Sequence, residues 1–234
     1  MVKILCLIPA RCGSRGVPGK NIKLLGDKPL MAWSIDQAKR SKYNMRIIVS
    51  TDSEEYQKIA QKWGAETPFL RPKKISGDLS IDYDFIVHAL NWLNKNENYV
   101  PDIILHLRPT QPNRKVEDID KCINIFIKNI DDYDSLRTVI PFEKSPFKMY
   151  SMKKNVLNPL YYTLNDIKEP FNLCRQALPQ TYLHNGYIDI YKTSVIKDGI
   201  LSGDKIYPYI MSKDDTIDID TQEDWKKAEE YKFH

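Results

Sequence analysis

Short apolar runs alternate along the chain with longer stretches in which apolar positions recur at a helical period. The runs are rich in Ile, Val and Leu, a pattern typical of strands that are buried on both faces. They lie at residues 3–9 (KILCLIP), 46–51 (RIIVST), 102–107 (DIILHL) and 134–140 (DSLRTVI). Each run is predicted to form a strand of one sheet.

Amphipathic stretches occupy the intervals between these strands. They cover residues 29–41, 53–64, 80–94 and 116–129. In the second of them, Ser53 stands where an N-cap belongs and Gly64 stands where the helix should end. Strands that alternate with helices predict an α/β fold with a mainly parallel sheet, covered by helices on both faces.

This architecture also predicts where a ligand would bind. Open α/β sheets bind ligands beyond the carboxyl ends of their strands. The loops at residues 9–23, 51–53 and 108–114 follow three such ends. We therefore expect these three loops to share one rim.

The alternation breaks down between residues 141 and 185, which are rich in proline, aromatic residues and lysine. This region is too apolar for a disordered linker. Its composition fits either an arm packed on a second subunit or a structured insertion within one subunit. After it, NGYIDIYKTSVI and KIYPYIM are predicted strands, and TQEDWKKAEEYKF is a predicted closing helix.

Composition narrows the class of protein. The 234 residues carry a formal net charge of +4 with both signs mixed along the chain, unlike the basic stripe of a nucleic-acid-binding protein. No run is long and apolar enough to cross a membrane, and the apolar start is too short for a signal peptide. The cysteines are scattered, without the spacing of a metal site or a disulfide framework. We expect a cytoplasmic protein with no nucleic-acid or membrane partner.

The loop at residues 7–23 (LIPARCGSRGVPGKNIK) combines glycines with basic side chains. The glycines are Gly13, Gly16 and Gly19, and the basic residues are Arg11, Arg15, Lys20 and Lys23. Neither the Walker A spacing nor the G-x-G-x-x-G fingerprint is present. Glycine allows backbone N–H groups to approach a ligand, and Lys and Arg suit phosphate. The loop is predicted to bind phosphate; a merely flexible basic turn is the alternative.

A pair of carboxylates stands near the end of the chain, in DDTIDIDTQEDW. Asp218 and Asp220 alternate with Ile217 and Ile219, so both carboxylates should face one way while the isoleucines enter the core. Adjacent carboxylates repel each other unless a cation lies between them, and Mg²⁺ takes one or two carboxylates together with phosphate oxygens. The pair is predicted to hold Mg²⁺. An acidic strand end that leads to an N-cap at Asp220 or Thr221 is the alternative.

Other loops contribute further donors. In LRPTQPNR, Arg108, Thr110, Gln111 and Arg114 are expected at the rim, and in CRQALPQTYLHNG a guanidinium at Arg175 would suit a carboxylate. His88 and His106 lie in apolar stretches and are expected in the core. No pairing typical of covalent catalysis is evident.

Taken together, these stretches resemble the N-acylneuraminate cytidylyltransferase family, including its relatives that activate other 2-keto-3-deoxy sugar acids. The family's opening loop stands here as IPARCGSRGVPGKN. Its later signatures resemble STDS (50–53), LRPTQP (107–112), CRQALP (174–179), HNG (184–186) and IDIDTQED (217–224). They occur in the family's order and cover nearly the whole chain.

The resemblance implies a fold and an assembly. Residues 1–140 and 186–234 would form a nucleotidyltransferase α/β domain with a Rossmann-like three-layer sheet. Residues 141–185 would form a protruding dimerisation arm that completes the sugar site of the partner, which favours a homodimer.

The resemblance also implies roles for single residues. CTP would be bound by Arg11, Ser14, Lys20, Asn21, Arg71 and Ser80. The sugar acid would be bound by Arg108, Lys148, Arg175, Gln176 and Asn185. Mg²⁺ would be held by Asp218 and Asp220, and Lys20, Arg175, Asp218 and Asp220 would carry the catalysis.

Some positions depart from the better-known members. Arg15 replaces a lysine, Cys174 replaces a proline, and Arg108 stands where some sialic acid enzymes carry a glutamine that touches the sugar. NGYIDIY replaces NGAIYI and places Asp189 where a tyrosine stands. The changes at Arg108 and Asp189 bear on the sugar rather than on the nucleotide chemistry.

The implied reaction is attack of the anomeric hydroxyl of a sugar acid on the α-phosphorus of CTP, which yields a CMP-sugar and pyrophosphate. Two other functions fit parts of the sequence. A metal-dependent glycosyltransferase would use Asp218-Ile-Asp220 as its D-x-D pair, and a nucleotide-binding regulator would bind CTP without turnover.

Overall fold

The computed structural model describes residues 2–213 and 216–231. Its strands are β1 (Ile4–Pro9), β2 (Leu24–Leu25), β3 (Lys28–Pro29), β4 (Arg46–Ser50), β5 (Ile103–His106), β6 (Ser135–Phe142), β7 (Tyr150–Lys153), β8 (Val156–Pro159), β9 (Thr163–Leu164), β10 (Ile167–Lys168), β11 (Thr181–Lys192) and β12 (Ile206–Ile210). Its α-helices are α1 (Leu30–Arg40), α2 (Glu54–Lys62), α3 (Asp82–Glu97), α4 (Val116–Lys128) and α5 (Gln222–Glu229).

The central sheet has six strands in the order β12-β6-β11-β5-β1-β4. β1 pairs in parallel with β4 and with β5, and β12 pairs in parallel with β6. β11 runs antiparallel to both of its neighbours. The sheet is therefore mixed and mostly parallel, and the predicted α/β fold class is confirmed.

Side chains of β1 enter two different cores, one on each face of the sheet. Ile4, Cys6 and Ile8 pack in a core with residues of α1, α2 and α4, whereas Leu5 and Leu7 pack in a core with residues of α3. Successive side chains of a strand point to opposite faces. A strand that is apolar at every position is therefore buried between two helical layers, which explains the uninterrupted apolar run in the sequence.

A third, smaller core connects the beginning of the chain to its end. Val17 of the glycine-rich loop and Leu30 of α1 pack against Ile219 and Trp225. Thr221 caps α5 by accepting from the backbone N–H of Asp224, at an oxygen–nitrogen distance of 3.2 Å. This core places the predicted acidic pair beside the glycine-rich loop.

The helix predicted at 80–94 begins and ends later, at Asp82 and Glu97. Ser80 and Ile81 stay outside it, and the carboxylate of Asp84 accepts from the backbone N–H of Ile81 at 3.3 Å. Asn98, in the left-handed conformation with φ of 51°, ends the helix. Ser80 is thereby left in a loop that faces the ligand-binding rim.

The irregular region between β6 and β11 is an ordered arm. It contains the antiparallel pairs β7–β8 and β9–β10. Large apolar side chains along it are exposed, among them Met152, Val156, Leu157, Leu160 and Tyr162. Exposed apolar patches of this kind mark interaction surfaces.

No helix in the described part of the chain is both long and apolar enough to cross a membrane. The four cysteines are free thiols, with Cys6 and Cys122 buried and Cys12 and Cys174 exposed.

Candidate active site

A pocket of about 520 Å³ opens at the carboxyl ends of the parallel strands. The sequence-predicted site residues that line it are Arg11, Ser14, Lys20, Asn21, Arg71, Ser80, Arg108 and Asp220. Its wall also includes Arg15, Gly16, Asp78, Ile81, Asp82, Phe85, Pro109 and Thr110. The loops that follow β1 and β5 thus meet at one rim, as the sequence predicts, whereas no residue of the third expected loop, 51–53, lines the pocket.

The glycine-rich loop is held in shape by two contacts. The backbone N–H of Cys12 donates to the carboxylate of Asp52 at 2.9 Å, which ties the loop to the end of β4. The side-chain amide of Asn21 donates to the carbonyl of Arg11 at 2.9 Å, which closes the loop on itself. Asn21 therefore stabilises the conformation of the loop and also lines the pocket.

The same loop lies directly against the segment that carries the aspartates. A Cβ atom at Gly16 would lie 1.9 Å from the backbone carbonyl oxygen of Asp220, so only glycine fits there. The ammonium of Lys20 donates to the carbonyl of Ile219 at 2.7 Å and to the carboxylate of Asp220 at 3.0 Å. The structure therefore brings together the lysine and the acidic segment that the sequence analysis assigned to the triphosphate.

Two arginines of the loop share one carboxylate that sequence reasoning missed. Arg11 lies 2.8 Å from one oxygen of Asp78, and Arg15 contacts the other. The hydrogen bond from Arg11 holds the pKa of Asp78 below its usual range. Asp78 lies in SGDLS, a stretch with no recognisable motif. Each guanidinium has more N–H groups than this contact uses, so both can also bind an anionic ligand.

Arg71 is a buried cation in the pocket wall. Its Nε donates to the hydroxyl of Ser50 at 3.0 Å, and Nη2 donates to the carbonyl of Ser50 at 2.5 Å. The guanidinium lies 4.8 Å from the ring centre of Phe85. Burial lowers the pKa of Arg71 to about 10, so the group still carries its charge at neutral pH.

Lys23 does not join this group of cations, and its inclusion in the phosphate-binding loop is wrong. Its ammonium lies over the ring of Trp225, 4.2 Å from the centroid. A cation held on an aromatic face is stabilised there. The loop turns between Gly19 and Lys23, with hydrogen bonds back to the carbonyl of Gly19, and this turn directs the side chain away from the pocket.

The alternation predicted for the acidic segment is present. Ile219 is fully buried, and Asp218 and Asp220 are exposed on either side of it. Although Asp218 is exposed as a residue, partial desolvation of its carboxyl group and the neighbouring Asp220 raise its pKa, against a hydrogen bond from Thr110. A nearby cation would stabilise the charged form of this carboxylate.

These donors fit a magnesium ion in their chemistry. No cluster of three or more Asp, Glu, His or Cys side chains suited to a metal occurs among residues 2–213 and 216–231. Mg²⁺ is commonly bound by only one or two carboxylates, with phosphate oxygens and water as its other ligands. Asp218 and Asp220, next to a pocket lined with cations, supply that donor set.

The LRPTQPNR loop divides its side chains between the pocket and the core. Arg108 and Thr110 line the pocket. The expectation that Gln111 and Arg114 offer donors at the rim is wrong, because both are buried. Gln111 donates to the carbonyl of Asn185 at 2.7 Å, and Arg114 donates to the carbonyl of Arg108 at 2.9 Å. These donors fix the loop rather than a ligand.

Arg108 reaches the pocket from between two carboxylates. Its Nη1 lies 2.5 Å from Asp189 and its Nη2 lies 2.6 Å from Asp82. Asp189 is fully buried under the site, while Asp82 begins α3 and lines the pocket. Nothing in the sequence pointed to Asp82 beyond the preference of helix starts for acidic residues.

The predicted sugar-binding residues of the arm lie outside this pocket in the single chain. Arg175 and Gln176 line a second pocket of about 380 Å³ at the base of the arm. Lys148 is exposed and donates to the carbonyl of Phe171 at 3.1 Å. The structure thus separates these three from the nucleotide residues of the same chain.

Asn185 is also turned away from the pocket. β11 shifts register against β6 between His184 and Asp189, and the Asn185 side chain fills this irregularity. It accepts from the hydroxyl of Thr138 at 2.6 Å and from the backbone N–H of Tyr187 at 3.2 Å.

A family model described as "Cytidylyltransferase" matches residues 5–198. The chain belongs to the cytidylyltransferase family. The resemblance drawn from the sequence motifs is thereby confirmed.

Two curated relatives align with nearly the whole chain. The N-acylneuraminate cytidylyltransferase of Escherichia coli O18:K1:H7 is 31% identical over 229 residues, which cover 97% of this chain and 51% of that protein. The chain thus spans about half the length of that relative. The CMP-N,N'-diacetyllegionaminic acid synthase of Legionella pneumophila is 30% identical over 232 residues, which cover 97% of this chain and 95% of that protein.

A solved structure shares the fold. It is the structure of CMP:2-keto-3-deoxy-manno-octonic acid synthetase in complex with CTP, with a TM-score of 0.68, 18% sequence identity and coverage of 97% of each chain. This likeness concerns the fold alone.

Proposed function

We propose that the protein is a cytidylyltransferase that couples CTP to the anomeric hydroxyl of a 2-keto-3-deoxy sugar acid and releases pyrophosphate. The observation that carries the proposal is the joint placement of Lys20 and Asp220, 3.0 Å apart, in a pocket lined by further cations. A triphosphate needs both cationic side chains and a metal-binding carboxylate. Family membership and the names of the two relatives support the same activity.

The nucleotide half of the pocket is the part built from the glycine-rich loop. Arg11, Arg15 and Lys20 present positive charge where the loop backbone can approach phosphates closely. Arg71 adds a fixed cation, and Ser14 and Ser80 add hydroxyl donors. These residues would hold the triphosphate and orient its α-phosphorus towards the acceptor.

Asp218 and Asp220 would hold Mg²⁺, which when bound supplies positive charge against the triphosphate oxygens. Lys20 acts beside them: its ammonium is fixed by the carbonyl of Ile219 and can stabilise the negative charge that develops on the leaving pyrophosphate. Preorganised charges of this kind lower the barrier because they need no reorientation during the reaction. Alignment of the acceptor hydroxyl with the α-phosphorus lowers the barrier further, and no protein nucleophile is required.

We further propose that the arm (residues 143–180) completes the sugar site of a second copy of the chain. Arg175, Gln176 and Lys148 lie away from the pocket of their own chain, and the arm exposes large apolar side chains. Burying these side chains against another subunit would bring the arm to the partner's pocket. There the guanidinium of Arg175 would bind the sugar carboxylate through two parallel hydrogen bonds. Asn185 would support this site from the β11 irregularity.

The test is release of pyrophosphate from CTP in the presence of Mg²⁺ and a panel of 2-keto-3-deoxy sugar acids, with each other nucleoside triphosphate in parallel. We expect release that depends on both the sugar acid and CTP. Transfer of a sugar from a nucleotide-sugar without pyrophosphate release would instead mark a glycosyltransferase. Binding of CTP by the folded protein without turnover on any acceptor would mark a regulator.

A further inference from the structure

Two residues that the sequence analysis connected with the sugar meet in the structure. Arg108 follows β5 and Asp189 lies in β11, where it is paired with His106 of β5. The Arg108 Nη1 atom lies 2.5 Å from the carboxylate of Asp189. An arginine at one position is thus paired with a buried carboxylate at the other.

Both carboxylate oxygens of Asp189 have hydrogen-bond partners, which restrain the side chain in one position. Its Oδ1 atom lies 2.8 Å from Nε2 of His184, and its Oδ2 atom, which Arg108 contacts, also accepts from the hydroxyl of Tyr191 at 3.2 Å. Its side chain is fully buried. A charge held in this manner defines one position for the arginine that pairs with it.

Arg108 is confined as well. Its backbone carbonyl accepts from the buried Arg114 at 2.9 Å. Gly186 faces the side chain: a Cβ atom there would lie 3.4 Å from Cδ of Arg108, and its φ of +68° favours glycine. The guanidinium therefore projects into the pocket in one fixed orientation, with Asp82 bound to its other end at 2.6 Å.

The charge of this arginine is already neutralised. Asp189 and Asp82 place two carboxylates on a single guanidinium, and a third carboxylate brought to it would be repelled by both. Arg108 has N–H groups that these two contacts leave unused, and both Arg108 and Asp82 line the pocket. This combination suits a neutral group that both donates and accepts hydrogen bonds.

We infer that Asp189 is a positioning residue which fixes Arg108, and that the Asp82–Arg108 pair recognises a neutral polar substituent of the acceptor, an acylamino or hydroxyl group, rather than its carboxylate. This inference rests on the proposed function, because it concerns the acceptor half of the same site. The carboxylate of the acceptor would then be bound by cations other than Arg108.

The decisive experiment compares Asp189→Asn with wild type in pyrophosphate release, using the acceptor that wild type turns over fastest. Asparagine keeps the shape but loses the charge. We expect the KM for the sugar acid to rise about tenfold, since a charge-assisted hydrogen bond becomes a neutral one, and the KM for CTP to stay within about twofold. If Arg108 instead bound the acceptor carboxylate, removing the competing charge of Asp189 would lower the sugar KM. A lowered or unchanged sugar KM would overturn the inference.

Asp118→Asn is the matched control. Asp118 is also buried, and it accepts from the hydroxyls of Tyr187 and Tyr209 at 3.3 and 3.2 Å, but it does not line the pocket. We expect both KM values of this variant to stay within about twofold of wild type. An equal rise in the sugar KM in the control would reduce Asp189 to a general contribution to core stability and so overturn the inference.

Two acceptor analogues test whether the acylamino group is the substituent that the Asp82–Arg108 pair recognises. Replacing the acylamino group of the acceptor by hydroxyl, or by hydrogen, should weaken kcat/KM with wild type, and by about tenfold for hydrogen. With Asp189→Asn, the preference over the hydrogen analogue should fall towards one. A preference that survives the substitution unchanged would argue against recognition by the Asp82–Arg108 pair.

Failure of the proposed function would be seen separately, as an absence of turnover by wild type with every acceptor. In that case a crystal structure of Asp189→Asn tests the positioning role of Asp189, because this test needs no enzymatic turnover. We expect the Arg108 guanidinium to be displaced by about 1 Å or more, the looseness that disables designed sites. A guanidinium that stays in place would refute the positioning role.

Discussion

The ammonium of Lys20 lies 3.0 Å from the carboxylate of Asp220, although 200 positions of sequence separate the two residues. The contact is formed because Val17 and Ile219 are buried in the same small core. It joins the cation and the metal-binding carboxylate of the proposed reaction into one unit, so each is expected to be necessary.

Replacing Lys20 by Met should lower kcat at least about a hundredfold, because a preorganised charge at the leaving group is lost. Lys23→Met is the control, since that ammonium lies over Trp225 and not in the pocket. Its kcat should stay within about threefold of wild type. Steady-state pyrophosphate release measures both variants, and equal losses in the two would show that general loop charge, rather than Lys20, is responsible.

Asp220→Ala should likewise lower turnover at least about a hundredfold while the far-ultraviolet circular dichroism stays unchanged, because metal and lysine both lose their partner. Glu223→Ala removes a nearby carboxylate that pairs with Lys227 on the surface and serves as its control. Near-normal turnover of Asp220→Ala at saturating Mg²⁺ would exclude Asp220 as a metal ligand.

Gly16→Ala tests the contact between the loop and the acidic segment. The added Cβ atom would meet the carbonyl oxygen of Asp220 at 1.9 Å, whereas a Cβ atom at Gly13 meets no atom within 4 Å. We expect Gly16→Ala to lower kcat/KM for CTP about tenfold or more, since shifts of about 1 Å at a site are costly, and Gly13→Ala to have little effect. Similar kinetics for the two variants would contradict the close approach.

His106 predicts a pH dependence of stability. It is fully buried, and neither ring nitrogen has a hydrogen-bond partner among the described residues. Burial lowers its pKa from 6.5 to about 3. Between those values the unfolded chain binds a proton that the folded protein does not, so folding stability is lost as pH falls from about 6.5 towards 3.

His106→Leu should remove that contribution. Between pH 7 and pH 5 the wild type should lose about 2 kcal/mol more of unfolding free energy than the variant. Urea denaturation at the two pH values measures the difference. Parallel losses in both proteins would mean that His106 takes up its proton in the folded state as readily as in the unfolded chain.

Mixing two inactive variants tests the shared site. In a dimer of Asp220→Ala with Arg175→Ala, one of the two sites has an intact pocket and an intact arm from the other chain. Random reassociation should therefore restore about one quarter of wild-type activity. Unmixed variants at the same concentration are the control. Recovery of no activity after verified subunit exchange would place Arg175 in the site of its own chain.

Residue patterns were sufficient for the fold and for much of the pocket. Strands that are apolar at every position, such as β1, have one explanation in an α/β protein, and a glycine-rich loop directly after such a strand lies at the ligand-binding edge. Motif resemblance then located Arg71 and Ser80, whose residue types alone carry no such information. The structure places both in the pocket wall.

Side-chain direction was the part that the sequence could not supply. Lys23 and Arg114 have the residue types of a phosphate site, but a turn and a buried loop direct them elsewhere. Asp78 and Asp82 line the pocket without belonging to any motif. The pairing of Arg108 with Asp189 depends on the register between β5 and β11, which no local pattern encodes.

The contact between Gly16 and the backbone of Asp220 also has a consequence for truncation. Every strand of the central sheet lies between residues 4 and 210, whereas the acidic segment that closes the glycine-rich loop follows it. Removing the chain from Ile217 onwards would therefore leave all six strands in place but take away the surface against which the glycine-rich loop packs. Such a shortened protein should keep its sheet and lose its nucleotide binding.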